Sequence, residues 1–329
     1  MERLHGIGVV RVPGMFAHDA VASARRKDPR STPLLFRRGD QSAAREGAAR
    51  MPDTDRNSQD VQAPGYRLAA RGREAAEDER LDLLEQIFDP GSRRLRAIVE
   101  PGWRCLEVGA GRGSMAVWMA EQVGPGGQVV ATDIDVTYLT RLQVPNLEVC
   151  RHDILDDPLD ALGPGSFDLV CSRLTLFWLA NRQEEAIRRM IECLRPGGWL
   201  LDEDGDWSTT GPVDLSHPLY AEYHESFQHG GWFASRGYDP FFGRKLAALF
   251  EGSGLANISH HATAEVVRGG SPWGRWWADT LDAIRDWGLA GSASESQDDG
   301  HRALTAACTE PSVWLMTELL HACRGQRTG

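Results

Sequence analysis

Apolar and polar positions alternate through the middle of the chain in the order that is typical of successive βα units. Apolar runs of strand length stand at 103–108, 128–133, 147–151, 167–172 and 198–203. Helical spacing of apolar residues stands at 114–122, 136–141 and 183–194. Glycine-rich turns separate these segments at 124–127, 163–165 and 197–198. The pattern therefore predicts a parallel sheet covered by helices on both faces, with ligands bound beyond the carboxyl ends of the strands.

The segment before the first strand has helical character. Residues 73–88 repeat apolar side chains at helical spacing, and Asp89-Pro90-Gly91 is expected to end that helix. A short second helix is predicted at about 92–99. Together these helices predict a helical cap over 61–100, ahead of a ligand-binding domain over 101–329.

Beyond 203 the alternation becomes irregular, which predicts insertions at 204–240 and 270–310 that bind the reaction partner. A final helix and an edge strand near Ser312–Thr317 are expected to close the chain. The other segments predicted here are a helix at 241–252, a strand at 256–268, a helix at 272–288 and a loop at 291–300.

Residues 1–60 differ in composition from the rest of the chain. They are rich in Arg, Ala, Pro and Ser, hold two aromatic residues and contain no tryptophan. Such a segment has too few apolar groups to form a core, so we expect it to be disordered. A basic interaction arm is the alternative.

Charge and composition exclude several classes of function. A net charge of −11 disfavours a nucleic-acid partner, since phosphate binding requires a basic face. No apolar run has the length of a membrane helix, and the N-terminus lacks a signal-peptide pattern. Six cysteines without a CxxC pair indicate reduced thiols and a cytoplasmic protein.

The strongest chemical signal is the tract CLEVGAGRGSMA at 105–116. An apolar strand enters a glycine-rich turn and a helix follows, so the backbone can lie against a ligand. The third glycine stands two residues after the second, whereas dinucleotide fingerprints place it three residues after. The candidate binding residues of this turn are Glu107, Gly109, Ala110, Gly111 and Gly113.

A second signal is Asp133 in the tract VVATDID, about 20 residues beyond the glycine turn. A carboxylate at the end of the second strand can accept hydrogen bonds from both hydroxyls of a ribose. The alternative is a solvated strand-end acid or helix cap, for which Asp135 is the better candidate.

Three further tracts follow in order: LEVCRHDILD at 147–156, FDLVCSRLTLFWL at 167–179 and LRPGGWLLDED at 194–204. Together with the glycine turn they resemble the class I S-adenosylmethionine (SAM)-dependent methyltransferases over about 66–204. The resemblance implies SAM as cofactor. It also implies an α/β, Rossmann-like, mostly parallel seven-stranded sheet with an N-terminal helical cap and a C-terminal helical lid insertion.

The resemblance also implies roles for individual residues. Asp153 would meet the adenine amino group and Ile154 would pack on the ring. Tyr66 and Gln86 match cap positions that touch the cofactor, although a structural role for both is the alternative. The full set of cofactor-binding predictions is Tyr66, Gln86, Glu107, Gly109, Ala110, Gly111, Gly113, Asp133, Ile134, Asp153, Ile154 and Ser172.

The tracts GRKLAALFEGSGL, VRGGSP and EPSVWLM of the C-terminal part resemble actinobacterial methyltransferases of secondary metabolism. This resemblance implies a small, aromatic or polycyclic acceptor that is methylated on O or N. An oxygen acceptor can require a general base, for which His224 is the nominal choice. The other candidates are His217, Tyr220, Tyr223, His229, Tyr238, His260 and His261.

Two more features leave alternatives open. The acidic run Asp202, Glu203, Asp204 and Asp206 could hold a metal or a cationic acceptor, but strand four lacks the terminal Asp of metal-dependent catechol methyltransferases, so metal-independence is expected. That strand also lacks the NPPY-like tract of adenine methyltransferases. The tryptophans 273, 276 and 277 share a helix face, which indicates either core packing or the wall of an aromatic acceptor pocket.

Other functions remain as alternatives. The glycine spacing argues against a nicotinamide-dependent dehydrogenase. A peptide or protein methyltransferase, or a SAM-binding cyclase or regulator, would share every motif described, because acceptor specificity lies in 204–329. A homodimer is left open.

Overall fold

The computed structural model describes residues 74–220, 238–288 and 295–329. The extension 1–60, Tyr66 and His224 lie outside these ranges. The strands are β1 Arg104–Val108, β2 Gln128–Asp133, β3 Leu147–Arg151, β4 Phe167–Arg173, β5 Leu194–Asp206, β6 Gly211–Pro212, β7 Leu255–Thr263, β8 Val266–Arg268, β9 Trp314–Met316 and β10 Leu319–Arg327. The α-helices are α1 Glu74–Leu95, α2 Ser114–Val123, α3 Gln183–Cys193, α4 Leu246–Gly252, α5 Pro272–Gly288 and α6 Glu295–Thr309.

Seven strands form one sheet in the order β3-β2-β1-β4-β5-β10-β7. The five strands from β3 to β5 pair in parallel, whereas β10 runs antiparallel to both of its neighbours. The direction of chain progression reverses between β1 and β4, so a crevice opens beyond their carboxyl ends. The sheet confirms the predicted Rossmann-like α/β fold.

Alternate residues of the central strands face opposite sides of the sheet. Cys105 and Cys171 pack with α2 on one face, while Leu106 and Val170 pack with α3, α4 and α5 on the other. Because successive side chains of a strand point in opposite directions, strands buried on both faces appear in the sequence as near-continuous apolar runs. This explains why the pattern located these strands well.

Helix α1 does not end where the sequence predicted. It continues through Pro90 to Leu95, so the predicted stop at 89–91 and the separate helix at 92–99 are wrong. Proline inside a helix costs about 3 kcal/mol, but buried contacts of the same turn oppose that cost. Asp89 accepts a hydrogen bond from Arg173 at 2.8 Å, and the Ser92 hydroxyl donates to Glu203 at 2.9 Å.

Two other predicted boundaries are also wrong. The segment 136–141 holds only a 3₁₀ turn, Leu139–Arg141, which is preceded by a turn in which the Asp135 carboxylate accepts the Thr137 N–H at 3.1 Å. The predicted loop at 291–300 overlaps α6, which begins at Glu295 and packs against α5.

The C-terminal strands differ most from the prediction. The strand expected at 256–268 divides into β7, which joins the large sheet, and β8, which pairs with β9 in a three-stranded sheet of order β6-β9-β8. The expected edge strand near Ser312–Thr317 is thus the middle strand of the small sheet. The last strand of the large sheet, β10, was not predicted. None of the described helices is both long and apolar enough to cross a bilayer.

Candidate cofactor and acceptor site

A cavity of about 730 Å³ opens beyond the carboxyl ends of β1, β2 and β4, where the topology places the crevice. Helices α1 and α5 cover it. One half is polar and is formed by the loops after β1, β2 and β3, while the other half is mainly aromatic. The polar half includes Glu107, Val108, Gly109, Ala110, Gly111, Asp133, Ile134, Asp153 and Ile154, and the aromatic half includes Phe177, Trp178, Trp207, Tyr238, Trp276 and Trp277.

The glycine turn follows β1 directly. Gly109 has a φ of +69°, and a Cβ there would lie 2.4 Å from the Thr175 hydroxyl, so no side chain fits. Gly111 has a φ of +58°, and a Cβ there would meet no described atom within 4 Å. Gly111 lines the cavity, so its bare backbone leaves room for a ligand to approach. Gly113 has a φ of +87° and caps α2 behind the cavity wall.

Asp133 connects the second strand to this turn. Its two carboxylate oxygens accept the Gly111 N–H at 2.9 Å and the Asp135 N–H at 3.0 Å. Burial raises the pKa of the carboxyl, against the backbone donors, which lower it. A carboxylate has about four lone-pair sites, so each oxygen keeps capacity for a ligand hydroxyl.

Glu107 is buried at the floor of the cavity, with 4 % of its surface exposed. Burial raises its pKa to about 7, although Arg96 and Arg173 act in the opposite direction. Its Oε2 atom has no hydrogen-bond partner among the described residues. A buried carboxylate oxygen without a donor is unusual in a protein, and it fits a site that a ligand amino group or ordered water completes.

Asp153 and Ile154 follow β3 and line the same half. One Asp153 oxygen accepts the Leu155 N–H at 2.8 Å, which fixes the loop, and Ile154 is 5 % exposed. The glycine turn, Asp133, Glu107 and this pair together provide a backbone cradle, a polyol acceptor and an apolar ring surface. This arrangement fits an adenosyl cofactor with a charged amino acid moiety.

The aromatic half contains a stack of indole rings. Trp207, which follows β5, and Trp277 of α5 lie with ring centroids 4.5 Å apart and planes at 10°. Phe177 and Trp276 line the cavity beside them. Trp273, by contrast, donates its indole N–H to Glu318 at 2.8 Å and is absent from the cavity wall. The sequence left core packing and a pocket wall as alternatives for these tryptophans. Trp273 belongs to the core alone, whereas Trp276 and Trp277 pack in the core and also line the cavity.

The acidic run after position 201 lies inside β5, which is longer than the predicted 198–203. All four carboxylates are buried. Three of them have side-chain partners: the Ser172 hydroxyl donates to Asp202, Arg96 pairs with Glu203, and Arg244 pairs with Asp206. Asp204 lines the cavity instead. In the described part of the chain, no group of three or more candidate ligands could hold a metal ion.

Comparison with known proteins agrees with this geometry. A family model described as a methyltransferase domain matches residues 68–260, which is more than half of the chain. The chain belongs to this methyltransferase domain family. The match confirms the predicted class, a SAM-dependent methyltransferase domain, and SAM as its cofactor.

Curated relatives match the chain over part of their length. The nocamycin O-methyltransferase of Saccharothrix syringae is 34 % identical over 134 residues, which cover 39 % of this chain and 45 % of the relative. Methyltransferase str2 of Strobilurus tenacellus is 34 % identical over 106 residues, covering 32 % and 36 %. The match thus spans less than half of either relative.

Among solved structures, a cyclopropane-fatty-acyl-phospholipid synthase-like protein from Lactobacillus casei ATCC 334 superposes with a TM-score of 0.51 at 15 % identity. The superposition covers 78 % of this chain and 94 % of that one. At this identity the likeness shows the fold alone.

Some predicted cofactor-binding residues are not found on the cavity wall. Ser172 is fully buried with its hydroxyl on Asp202. Gln86 is exposed, whereas Glu85 on the same helix faces the cavity. Tyr66 lies outside the described residues.

The candidate bases are scattered in the same way. Tyr238 lines the cavity, but His217, Tyr220, His260 and His261 do not. His260 lies on β7, where its ring nitrogen is 2.8 Å from that of His321. The remaining candidates, Tyr223, His224 and His229, lie outside the described residues.

Several wall residues were not predicted from the sequence, among them Arg80, Phe177 and Trp207. Arg80 lies on α1 and is held by Glu77 through two hydrogen bonds of 2.9 and 2.7 Å. Its helical spacing relative to Leu84 was the one available signal. Trp207 stood in a segment without periodicity, so no local pattern indicated its direction.

Proposed function

We propose that this chain transfers a methyl group from SAM to an oxygen or nitrogen atom of a small, aromatic or polycyclic metabolite. One observation carries the proposal: a single cavity joins the polar cradle of the glycine turn to a wall of stacked aromatic rings. Its volume of about 730 Å³ lies within the range of small-molecule sites. SAM supplies an electrophilic methyl group on a sulfonium when bound.

The polar half would bind and orient the cofactor. The Asp133 carboxylate is directed by two backbone N–H groups and would accept the ribose hydroxyls. Glu107 would accept from the amino group with its unpaired Oε2. Ile154 would pack against the adenine and Asp153 would accept from its amino group. These roles fit the order in which β1, β2 and β3 lie side by side.

The aromatic half would bind the acceptor and exclude water. Rings of Phe177, Trp207 and Trp276 offer flat apolar faces, against which a planar acceptor can stack. Methyl transfer is an in-line displacement, and holding two reactants aligned can supply several kcal/mol of the barrier reduction. The wall would therefore contribute chiefly by positioning. The name of the Saccharothrix syringae relative, an O-methyltransferase of nocamycin, supports a small-molecule acceptor.

Calorimetry and a labelled-methyl assay test the proposal. SAM and its demethylated product should bind with one-to-one stoichiometry, and NAD should not bind. Incubation with methyl-labelled SAM and a panel of hydroxylated aromatics, aromatic amines and peptides should label the aromatic compounds. Label on peptides alone would favour the peptide or protein methyltransferase, and SAM binding without transfer to any acceptor would favour a non-methylating protein.

A pair of variants separates the two halves. Trp207→Leu should raise KM for the acceptor or lower kcat while the Kd for SAM stays unchanged. Trp199→Leu is the matched control, because Trp199 lies on β5, the strand that ends just before Trp207, is partly buried and does not line the cavity. Equal effects of the two substitutions would show that the aromatic wall has no special role.

A further inference from the structure

Asp204 stands apart from the other carboxylates of β5. It is 1 % exposed and lines the cavity, as Phe177 and Trp207 do. Its oxygens accept the backbone N–H groups of Phe177 and Gly205, each at 2.9 Å. Within the described ranges, no lysine, arginine or histidine forms an ion pair with it.

The neighbouring acids show what a purely structural carboxylate looks like in this strand. Glu203 is neutralised by Arg96, and Asp206 by Arg244. Asp202 accepts the Ser172 hydroxyl and is absent from the cavity wall. Asp204 differs from all three because it lines the cavity, where its charge is buried without a counter-ion at a cost to stability.

Its surroundings also make the carboxyl a good proton acceptor. Burial raises its pKa, while the backbone donors hold the charged form in place and act in the opposite direction. A base whose pKa lies nearer neutrality than that of a free Asp accepts a proton more readily in the transition state. The other carboxylates of the cavity wall lie on β1 to β3, on the loops that follow them, or on α1: Glu107, Asp133, Asp153, Asp156 and Glu85. Asp204 instead accepts the N–H of the wall residue Phe177 and stands just before Trp207 in the chain.

We propose that Asp204 is the general base of the reaction and that the acceptor is a phenolic hydroxyl. The phenol oxygen forms a bond to the methyl carbon while the S–C bond breaks and its electron pair returns to sulfur. The O–H proton passes to a carboxylate oxygen of Asp204, and later to solvent when the product leaves. The inference rests on the proposed methyl transfer to a small aromatic acceptor, and it replaces His224 as the nominal base.

The test uses two phenols of different acidity, 4-methoxyphenol and 4-nitrophenol, with Asp204→Asn and the matched control Asp202→Asn. General-base catalysis contributes about 10²–10⁴-fold, so kcat/KM of Asp204→Asn should fall by about that factor for 4-methoxyphenol. With the assay at slightly alkaline pH, the loss should be far smaller for 4-nitrophenol, which is then mostly phenolate and needs no base. Asp202→Asn should treat both phenols alike, and the Kd for SAM should be unchanged in both variants.

Asparagine can satisfy only one of the two backbone donors, so a second variant covers the case of a misfolded protein. Asp204→Ala assayed with added formate should regain activity toward 4-methoxyphenol and gain little toward 4-nitrophenol. Equal losses for both phenols, no formate rescue, or weakened SAM binding would overturn the role of Asp204. Failure of the wild-type protein to methylate any aromatic acceptor would instead refute the proposed function itself, and the phenol assignment with it.

Discussion

Replacement of Asp133 by alanine should weaken SAM binding by at least tenfold without unfolding the domain. The carboxylate uses one lone pair to accept the Gly111 N–H and one to accept the Asp135 N–H, so about two remain for the ribose hydroxyls. Hydrogen bonds to a charged group contribute about 1.5–3 kcal/mol each, and about 1.4 kcal/mol corresponds to a tenfold change in Kd. Losing one bond gives roughly tenfold, and losing both approaches 10²–10⁴-fold.

Titration calorimetry with SAM measures the effect directly. Asp133→Asn should be milder, because the amide oxygen still accepts one hydrogen bond. Asp135→Ala is the matched control. It also removes one carboxylate, two residues further along the chain, but the Asp135 side chain does not line the cavity. Thermal melts of all three variants establish that the fold is retained.

The pH dependence gives an independent check on Asp133. Burial raises the pKa of this carboxyl above its usual value, and the ribose hydroxyls need its ionised form. SAM affinity should therefore fall as pH decreases through that raised pKa, and Asp133→Asn should lose this dependence. An unchanged Kd in Asp133→Ala would refute the assignment of the second strand to the ribose.

Three further substitutions test the structure elsewhere. Gly109→Ala should abolish SAM binding or destabilise the domain, because its Cβ would overlap Thr175 at a positive φ; calorimetry and a melt separate the two. Glu203→Gln should lower the free energy of unfolding by about 3–5 kcal/mol in urea titrations, since it leaves Arg96 charged and fully buried. Glu318→Gln should remove a pH dependence of stability. Burial raises the pKa of Glu318 to about 7, so its contribution to stability, about 3 kcal/mol, is lost as pH rises from about 4.5 to 7. The wild type should lose that much more stability over this range than the variant, in which Glu107 and Asp204 still titrate; parallel pH profiles would exclude this.

The parallel half of the fold could be predicted because its strands are buried on both faces. Residues 128–133 and 167–172, for example, are apolar runs between turn residues, and the structure places β2 and β4 there within one residue. The strand β10 escaped prediction because its sequence, LLHACRGQR, mixes polar and apolar residues without alternation. Its pairing with β5 and β7 is set by partners more than 50 residues away along the chain.

The two halves of the site also differ in how far the sequence could predict them. Glu107, the glycine turn and Asp133 lie at the ends of adjacent strands, so spacing along the chain was sufficient to bring them together. The aromatic wall draws Phe177, Trp207 and Trp276 from three separate elements. Local periodicity contains no information about such long-range contacts, and only the tertiary packing of α5 over the end of β5 assembles them.

The carboxylates of β5 connect stability to function. Each buried acid tends to lower stability, and the fold offsets this cost for Glu203 and Asp206 with an arginine partner. At Asp204 the fold supplies only backbone dipoles, which hold the group in position without cancelling its charge. Functional sites are where such uncompensated groups accumulate. Asp204→Leu should still lower stability in urea titrations, because it strands the buried N–H groups of Phe177 and Gly205, as Asp202→Leu strands the Ser172 hydroxyl. Of the two substitutions, only Asp204→Leu should also lower turnover, because Asp204 lines the cavity and Asp202 does not.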